Sequence, residues 1–459
     1  MKKLIYVTAL STAFVLGACN KALDLKPFQS IDQSQALLTA KDVQITLVGA
    51  YNALSNGNLY GGGIYVNADL MSTQPETEWT GTFQGLTQLV NQTIPINNGF
   101  VEGTWLAAYS AINSVNNVLS ALDKVNASDK DRTEGEARFI RGLIYFDMVR
   151  LFGRAWNDGD PNTNLGVPIV LTPTKSVDAS SLVARSTVAQ VYAQAIADLK
   201  AAESKLPASN SFYANKYSAS AILARLYLQQ GDYTNAANEA TLVIASGNYA
   251  LNPNYADEFP YTGRSSGHVD NTPEDVFAIQ FTAQSVNVVN FNDFNTEYAS
   301  PNDAGRGDVV IDQSFVDEFA DTDTRKALFY DDAGSLRTDK FSNVDGNAHV
   351  IRLAELYLIR AEANLRISPA SAIGDTPAND VNQVRSRAGI VPLVVVSVND
   401  VLTERRHELC FEGGFFLHDG KRTAQNINGL PYNSTRLVFP ITQVELNANP
   451  KLVQNPGYN

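Results

Sequence analysis

Residues Tyr217–Tyr249, YSASAILARLYLQQGDYTNAANEATLVIASGNY, decide the fold. Ala221, Ile222, Ala224, Leu226 and Tyr227 fall at three- and four-residue spacings, which places them on one side of a helix. Gly231-Asp232 breaks the pattern where a turn or left-handed conformation is needed. Ala236, Ala240, Val243 and Ile244 then restore the period. The stretch therefore predicts two antiparallel helices joined by a tight turn. The small side chains of Ala224, Ala236 and Ala240 let the two axes approach closely, while Leu223, Tyr227 and Tyr233 fill the seam.

The offsets match a tetratricopeptide repeat unit. Tyr227 stands three residues after Ala224, Ala236 nine further on and Ala240 four beyond that. Ser220 occupies the usual Trp position and no Pro closes the unit. One such pair cannot bury its own apolar face, so neighbouring helices must cover it. Glu136–Trp156 and Val350–Ile390 carry weaker echoes of the same spacing. The three together predict a mainly α fold: a tetratricopeptide-like helical-repeat scaffold with long irregular loops and a few short strands.

Outward from the pair, helices are predicted at Gln33–Leu54, Trp105–Val125, Asp129–Phe152 and Thr187–Leu206, then at Val350–Leu365, Ala378–Ala388 and Asn399–Phe411. Trp105 and Trp156 read as core residues of these helices. Two stretches stay irregular. Ser55–Gly103 is rich in Gly, Asn and Thr; Asn252–Val310 holds one strand, Val276–Phe281, and many aromatics. Both exceed the usual connection length, and long ordered loops tend to carry function. The expected organisation is a signal peptide (1–18), a tether (19–32), an N-terminal region (33–212) with loop 55–103, and a C-terminal region (213–459) with the pair 217–249 and loop 252–310. No low-complexity linker divides the last two, so one body is expected.

Lys2-Lys3, the apolar run Leu4–Val15 and Leu16-Gly17-Ala18-Cys19 form a secretion signal of the lipoprotein kind. The run is shorter than the roughly 20 residues that span a bilayer. Cys19 would carry the lipid, with each buried methylene worth about 0.8 kcal/mol. Cys410 is then the only thiol left, and its apolar surroundings suit a buried, inert group. Against 48 Asp and Glu stand 35 Lys and Arg, a net charge of −13. That balance disfavours nucleic acid as a partner.

Several separate motifs resemble the SusD/RagB family of outer-membrane nutrient-binding lipoproteins, in that family's order. They are Leu23-Asp24-Leu25-Lys26-Pro27 after the lipobox; Trp105, Tyr109, Ile112 and Asn116; Glu136–Arg141 with Tyr145-Phe146 and Leu151-Phe152-Gly153; Gly166-Val167-Pro168; Arg352–Glu355; Asn382–Gly389; Glu404–Leu409 with Phe411-Glu412-Gly413; and Phe439-Pro440-Ile441 before Asn455-Pro456-Gly457-Tyr458. After Gly413 the pattern loosens, reading Gly414-Phe415-Phe416-Leu417-His418-Asp419-Gly420-Lys421-Arg422. The resemblance implies a helical body that captures oligosaccharide without cleaving it. It further implies delivery to a SusC-like TonB-dependent transporter, with the protein lipid-anchored on the outer membrane and facing outward. Within the family a peptide ligand is the alternative; a role confined to contact with the transporter is another.

Sugar capture needs flat apolar platforms flanked by hydrogen-bonding side chains. Loop 55–103 offers Trp79, Tyr65 and Phe83 with Asn67, Asp69 and Gln74. Loop 252–310 offers Tyr261, Phe291, Phe294 and Tyr298 with Asn292, Asp293 and Arg306. Trp79 ranks first, as the one Trp in an irregular polar stretch. Glu76, Glu78 and Glu102 are the carboxylates an enzyme reading would need. His268, His349, His407 and His418 lack metal-ligand spacing. No cofactor is expected beyond a structural calcium that Asp321-Thr322-Asp323 or Asp331-Asp332 could hold, though neither has the loop pattern of a calcium hand. Arg385, Arg387, Arg405 and Arg406, beside Glu355, Glu362, Glu404 and Glu408, are expected to form buried or half-buried ion pairs.

Overall fold

The computed structural model describes residues 37–175, 178–179, 181–261, 267–282, 293–368 and 372–458. The leader, Cys19, the tether, Phe291 and Asn292 lie outside the described residues. In chain order the helices are α1 (Ala40–Leu54), α2 (Gly63–Leu70), α3 (Gln84–Val90), α4 (Gly99–Ser120), α5 (Ala127–Phe152), α6 (Val188–Lys205), α7 (Lys216–Gln230), α8 (Tyr233–Ile244), α9 (Asp293–Tyr298), α10 (Gln313–Val316), α11 (Leu353–Ile367), α12 (Pro377–Arg387), α13 (Val398–Glu408), α14 (Phe415–Arg422) and α15 (Gln443–Ala448). The strands are β1 (Thr77–Trp79), β2 (Asp275–Ile279), β3 (Val309–Ile311), β4 (Phe329–Asp332), β5 (Ser335–Thr338) and β6 (Ala348–Arg352). They pair antiparallel as β1 with β3, β2 with β6 and β4 with β5.

The pair at 217–249 forms as its spacing dictates. The Asn215 side chain accepts from the N–H groups of Tyr217 and Ser218 and so caps α7, which would otherwise leave its first donors unpaired. Gly231 ends the helix in the left-handed region, φ 76° and ψ 15°, a conformation glycine enters without steric cost. Asp232 then caps α8 by accepting from the Asn235 N–H. Ala224, Ala236 and Ala240 are fully buried in the seam.

Neighbours supply what one pair lacks. α1 packs on α4, α4 on α5, α5 on α6, α6 on α7, α7 on α8, α8 on α11, and α11 on α12 and α13. α7 is consequently buried from Ser218 to Leu228. Each large apolar side chain there, such as Ile222 or Leu223, gains roughly 1.5–3 kcal/mol from burial. The boundary expected at 212/213 falls between α6 and α7, which touch. Among the described residues no helix is long and apolar enough to cross a membrane.

Two expectations shift. Val350 belongs to β6, because the chain pairs with β2 before turning into α11 at Leu353. Loop 55–103 is also less irregular than its composition suggests: it holds α2, β1 and α3, and α4 begins at Gly99.

The expected ion pairs form. Arg385 meets Glu404 at 3.0 Å, Arg405 meets Asp419 at 2.9 Å, and Arg387 meets both Glu408 and Glu274. Arg352, fully enclosed, donates to Glu274 and Glu408 at 2.6 Å and to Glu412 at 2.7 Å. Three guanidinium groups, from Arg325, Arg352 and Arg387, surround Glu408, and they hold its carboxyl far below the usual range despite its burial. These pairs tie α12 and α13 to the β2–β6 ladder.

Candidate ligand-binding site

The two aromatic loops meet. β1 from the first pairs with β3, at the end of the second, in the register Thr77↔Ile311, Glu78↔Val310 and Trp79↔Val309. Just past β1, Phe83 is 41% exposed and stands edge-on to Phe100 at 6.0 Å. Arg306 lies over the Phe83 ring and donates to Asp308 at 2.7 Å. Trp79 is half-buried: its indole N–H donates to Thr87 Oγ1 at 2.9 Å, and its ring rests so close to Gly81 that a Cβ there would come within 2.3 Å. Trp79 is therefore a packed wall of this ledge rather than a free platform.

Tyr65, Asn67, Asp69 and Tyr298 take a different place from the one expected. All four are buried, at 2% exposure or less. α2 carries the first three and is enclosed by α3, α4, α9 and α14, so every face of it is covered. The Tyr65 ring packs against Tyr60 and Phe294. Asp69 is buried beside Tyr298, and burial pushes its carboxyl well above the usual range. Phe294 is stacked on Phe341 at 4.8 Å. Tyr261 is half-buried and donates its hydroxyl to Asp303. Of the expected residues, Phe83 and Arg306 face outward, Trp79 and Tyr261 are partly covered, and Phe291 lies outside the described residues.

A cleft lies at the other end of the same segment. Ser72, Gln74 and Glu76 form one wall; Asn399, Thr403 and Arg406 of α13 form a second; Phe416, Asp419 and Thr423 of and after α14 form a third; Gln425, Asn426 and Asn428 close it. Its volume is about 390 Å³. The wall is shaped by a tight turn. Phe411 holds a left-handed backbone, φ 67°, and Gly414 another, φ 65°, with a Cβ at Gly414 only 2.5 Å from Ala68. A non-glycine residue in that region is strained and is kept there by surrounding structure. It lets Phe411 stack against Phe416 at 5.8 Å and hold that ring on the cleft wall.

Every charge on the wall is already paired. Glu76 and Arg406 meet at 2.7 Å, Arg406 also meets Glu318, and Asp419 lies between Arg405 and Arg422. These two cations hold the Asp419 carboxyl down at about 2. The amides are the opposite case. Among the described residues the side chains of Gln74, Asn399, Gln425 and Asn426 make no hydrogen bond. Asn428 donates to the Met71 carbonyl at 3.0 Å, yet its buried Oδ1 accepts nothing. A second cleft of similar volume, beside Trp105 and Tyr109, differs. There Tyr109 donates to the Pro168 carbonyl, Asn113 accepts from the Thr174 N–H and Asn449 donates to the Val183 carbonyl. The side chains of these three residues are already in use.

The remaining candidates are accounted for locally. Glu76 is tied to Arg406, Glu78 points outward from β1, and Glu102 sits in the first turn of α4. Asp323 is bound by Arg325, Asp332 accepts from Ser300, and Asp331 accepts from the Gly334 N–H. Cys410 is a buried free thiol whose pKa burial raises. Of the cleft residues from Asn399 to Asn428, Arg406 was expected in an ion pair and Cys410 as a buried thiol, but none was expected at a ligand site; the one signal was the looser pattern after Gly413, which supplies Phe416 and Asp419.

A family model described as starch-binding and associating with the outer membrane matches residues 23–228, and a model of the SusD family matches residues 334–422. The SusD-like proteins P38 and P2 of Formosa agariphila are 26% and 23% identical, over 97% and 98% of this chain and 96% and 99% of theirs. A SusD superfamily protein from Bacteroides thetaiotaomicron superposes with a TM-score of 0.78 at 25% identity, covering 91% of this chain and 100% of that one. A surface glycan-binding protein A from Bacteroides uniformis shares the fold, with a TM-score of 0.73 at 24% identity over 91% of this chain and 99% of its own.

Proposed function

This chain belongs to the SusD family, and from that premise we propose that it captures a neutral oligosaccharide at the outer-membrane surface without cleaving it. The captured ligand passes to a SusC-like TonB-dependent transporter, and the lipid on Cys19 keeps the protein at the membrane. The observation that carries the reading is the division of labour in the cleft: paired charges, unpaired amides and the rings of Phe415 and Phe416. A neutral polyol finds donors and acceptors in Gln74, Asn399, Gln425, Asn426 and Asn428. Its C–H face finds Phe416. A charged ligand would have to displace an existing ion pair.

The segment 72–83 runs from this cleft through β1 to the ledge of Phe83 and Arg306, so a chain of several sugars could follow it. The test is affinity electrophoresis and calorimetry against neutral polysaccharides, uronic-acid polysaccharides and peptides. Binding of a neutral glycan alone supports the reading. Binding of peptides alone, or turnover of any glycan, overturns it.

A further inference from the structure

A second cluster lies away from the cleft, on the β2–β6 ladder. Glu258 ends a short helical turn at Tyr255–Glu258, Asp275 opens β2 and His349 sits on β6. One atom from each, suited to bind a metal, lies within 4.8 Å of the other two. His349 Nδ1 is 2.6 Å from Asp275 Oδ1 and 3.4 Å from Glu258 Oε1. The other carboxylate oxygens are fixed from behind. Glu258 Oε2 accepts from Asn252 and Thr272, and Asp275 Oδ2 accepts from the Thr272 N–H at 2.9 Å. Glu258 Oε1 is buried and accepts no hydrogen bond. Carboxylates held from behind, with one oxygen presented forward, are how metal ligands are oriented.

Charge argues the same way. In the adjoining network Arg325, Lys340, Arg352, Arg385 and Arg387 face Glu274, Asp323, Glu404, Glu408 and Glu412, five cations to five carboxylates. Lys340 lines the cluster's cavity, but its ammonium is held by Glu412 and the Cys410 carbonyl. Glu258 and Asp275 are left with His349 alone. A buried carboxylate pair with at most one positive partner either holds a proton, as burial favours for Glu258, or has place for a further cation. Beside the three groups is a cavity of about 20 Å³, walled also by Asp270, Asn343 and Asn347, with room for one water-sized ligand.

We propose that Glu258, Asp275 and His349 bind one divalent cation, Zn²⁺ in preference to Ca²⁺, and that it fastens the turn at Tyr255–Glu258 to the β2–β6 ladder. One imidazole nitrogen and two carboxylate oxygens are a zinc donor set, whereas Ca²⁺ takes 6–8 oxygen ligands. At zinc bond lengths of about 2.0–2.1 Å, tetrahedral ligand atoms stand about 3.3 Å apart. The Nδ1–Oδ1 contact, closed by a shared proton in the metal-free protein, opens by about 0.7 Å and the proton leaves.

The test uses the chelator-stripped protein, titrated with ZnCl₂ by calorimetry and with CoCl₂ by visible absorption. The expected result is one equivalent of Zn²⁺, proton release on binding, a raised melting temperature and a Co²⁺ band of a low-coordinate site. H349Q and E258Q lower the affinity by about 100-fold or more, and T272V, which keeps all three ligands, lowers it about tenfold. T272V keeps the test decisive if the ligand variants fail to fold. Absence of stoichiometric Zn²⁺ uptake by the stripped protein overturns the proposal. So does uptake that H349Q and T272V leave unchanged, and so does Ca²⁺ binding tighter than Zn²⁺.

Discussion

The guanidinium carbon of Arg306 lies 4.3 Å from the centroid of the Phe83 ring. An arginine from the second long loop thus covers an aromatic ring of the first, at a place where both side chains are open to solvent. Such cation–π contacts contribute about 0.5–1 kcal/mol at exposed sites. F83A and R306A should each cost no more than about 1 kcal/mol of stability in denaturant melts. If the ledge extends the cleft, each also weakens binding of a long oligosaccharide severalfold while a monosaccharide is unaffected. Equal affinities for the long ligand in calorimetry would confine the site to the cleft.

Trp79 behaves differently because it is built in. Loss of its packing against Gly81 and of its bond to Thr87 should make W79A less stable by about 2–4 kcal/mol. A binding defect in this variant is therefore to be judged only after its melting curve, and a melt identical to the parent would contradict the packing described.

Within the cleft, Phe416 and the amides of Gln425 and Asn426 should carry affinity. F416A removes the aromatic surface and should weaken glycan binding by about 1–2 kcal/mol. The double variant Q425A/N426A touches no internal hydrogen bond, so its stability should match the parent while affinity falls about tenfold. Titration calorimetry with the glycan identified by electrophoresis decides this; unchanged affinity in both variants would move the site elsewhere.

Arg352 tests the frame. R352M leaves Glu274, Glu408 and Glu412 partly unpaired in a buried setting. Removing one member of a buried ion network costs about 3–5 kcal/mol. Urea unfolding should show a loss of this size, and a loss below about 1 kcal/mol would mean that water reaches the network.

Acid should destabilise the protein through His407. Burial, assisted by the positive charges of Arg325 and Arg406 and opposed by Glu318, holds its imidazole down at about 4. In the unfolded chain it titrates near 6.5. A depressed folded pKa means the stabilisation is complete above pH 6.5 and is lost as the pH falls from 6.5 toward 4, by about 3 kcal/mol. H407Q should flatten that part of the stability–pH profile. An unaltered slope in the variant would assign the acid sensitivity to other groups.

The frame was legible because a repeat leaves small residues at fixed offsets, a mark that survives even where a helix, like α7, is buried all round. Ala224, Ala236 and Ala240 mark the seam by spacing alone, and Gly231 marks the turn by its own permissiveness. α2 was illegible for the converse reason. Only 8 residues long and enclosed on every face, Gly63–Leu70 carries neither repeat offsets nor a polar side to set a period, and its Asn67 and Asp69 look like loop residues. The cleft was hidden because tertiary contact builds it. Gln74 was expected to serve the rings of its own loop, Asn399 and Asn426 are unremarkable in their segments, and the three become a site only when α13, α14 and residues 72–76 converge. His349 likewise has no ligand near it in sequence; the β2–β6 pairing brings Asp275 to it across 74 positions.

α13 and α14 wall the cleft and also carry Glu404 and Glu408, which face away from it, and Asp419, which lines it, into the ion pairs that fasten the body. A groove backed so firmly has little slack to give up when filled, and little shape change with which to announce that it is full. A transporter waiting beside this protein would then have to sense the cargo by touching it.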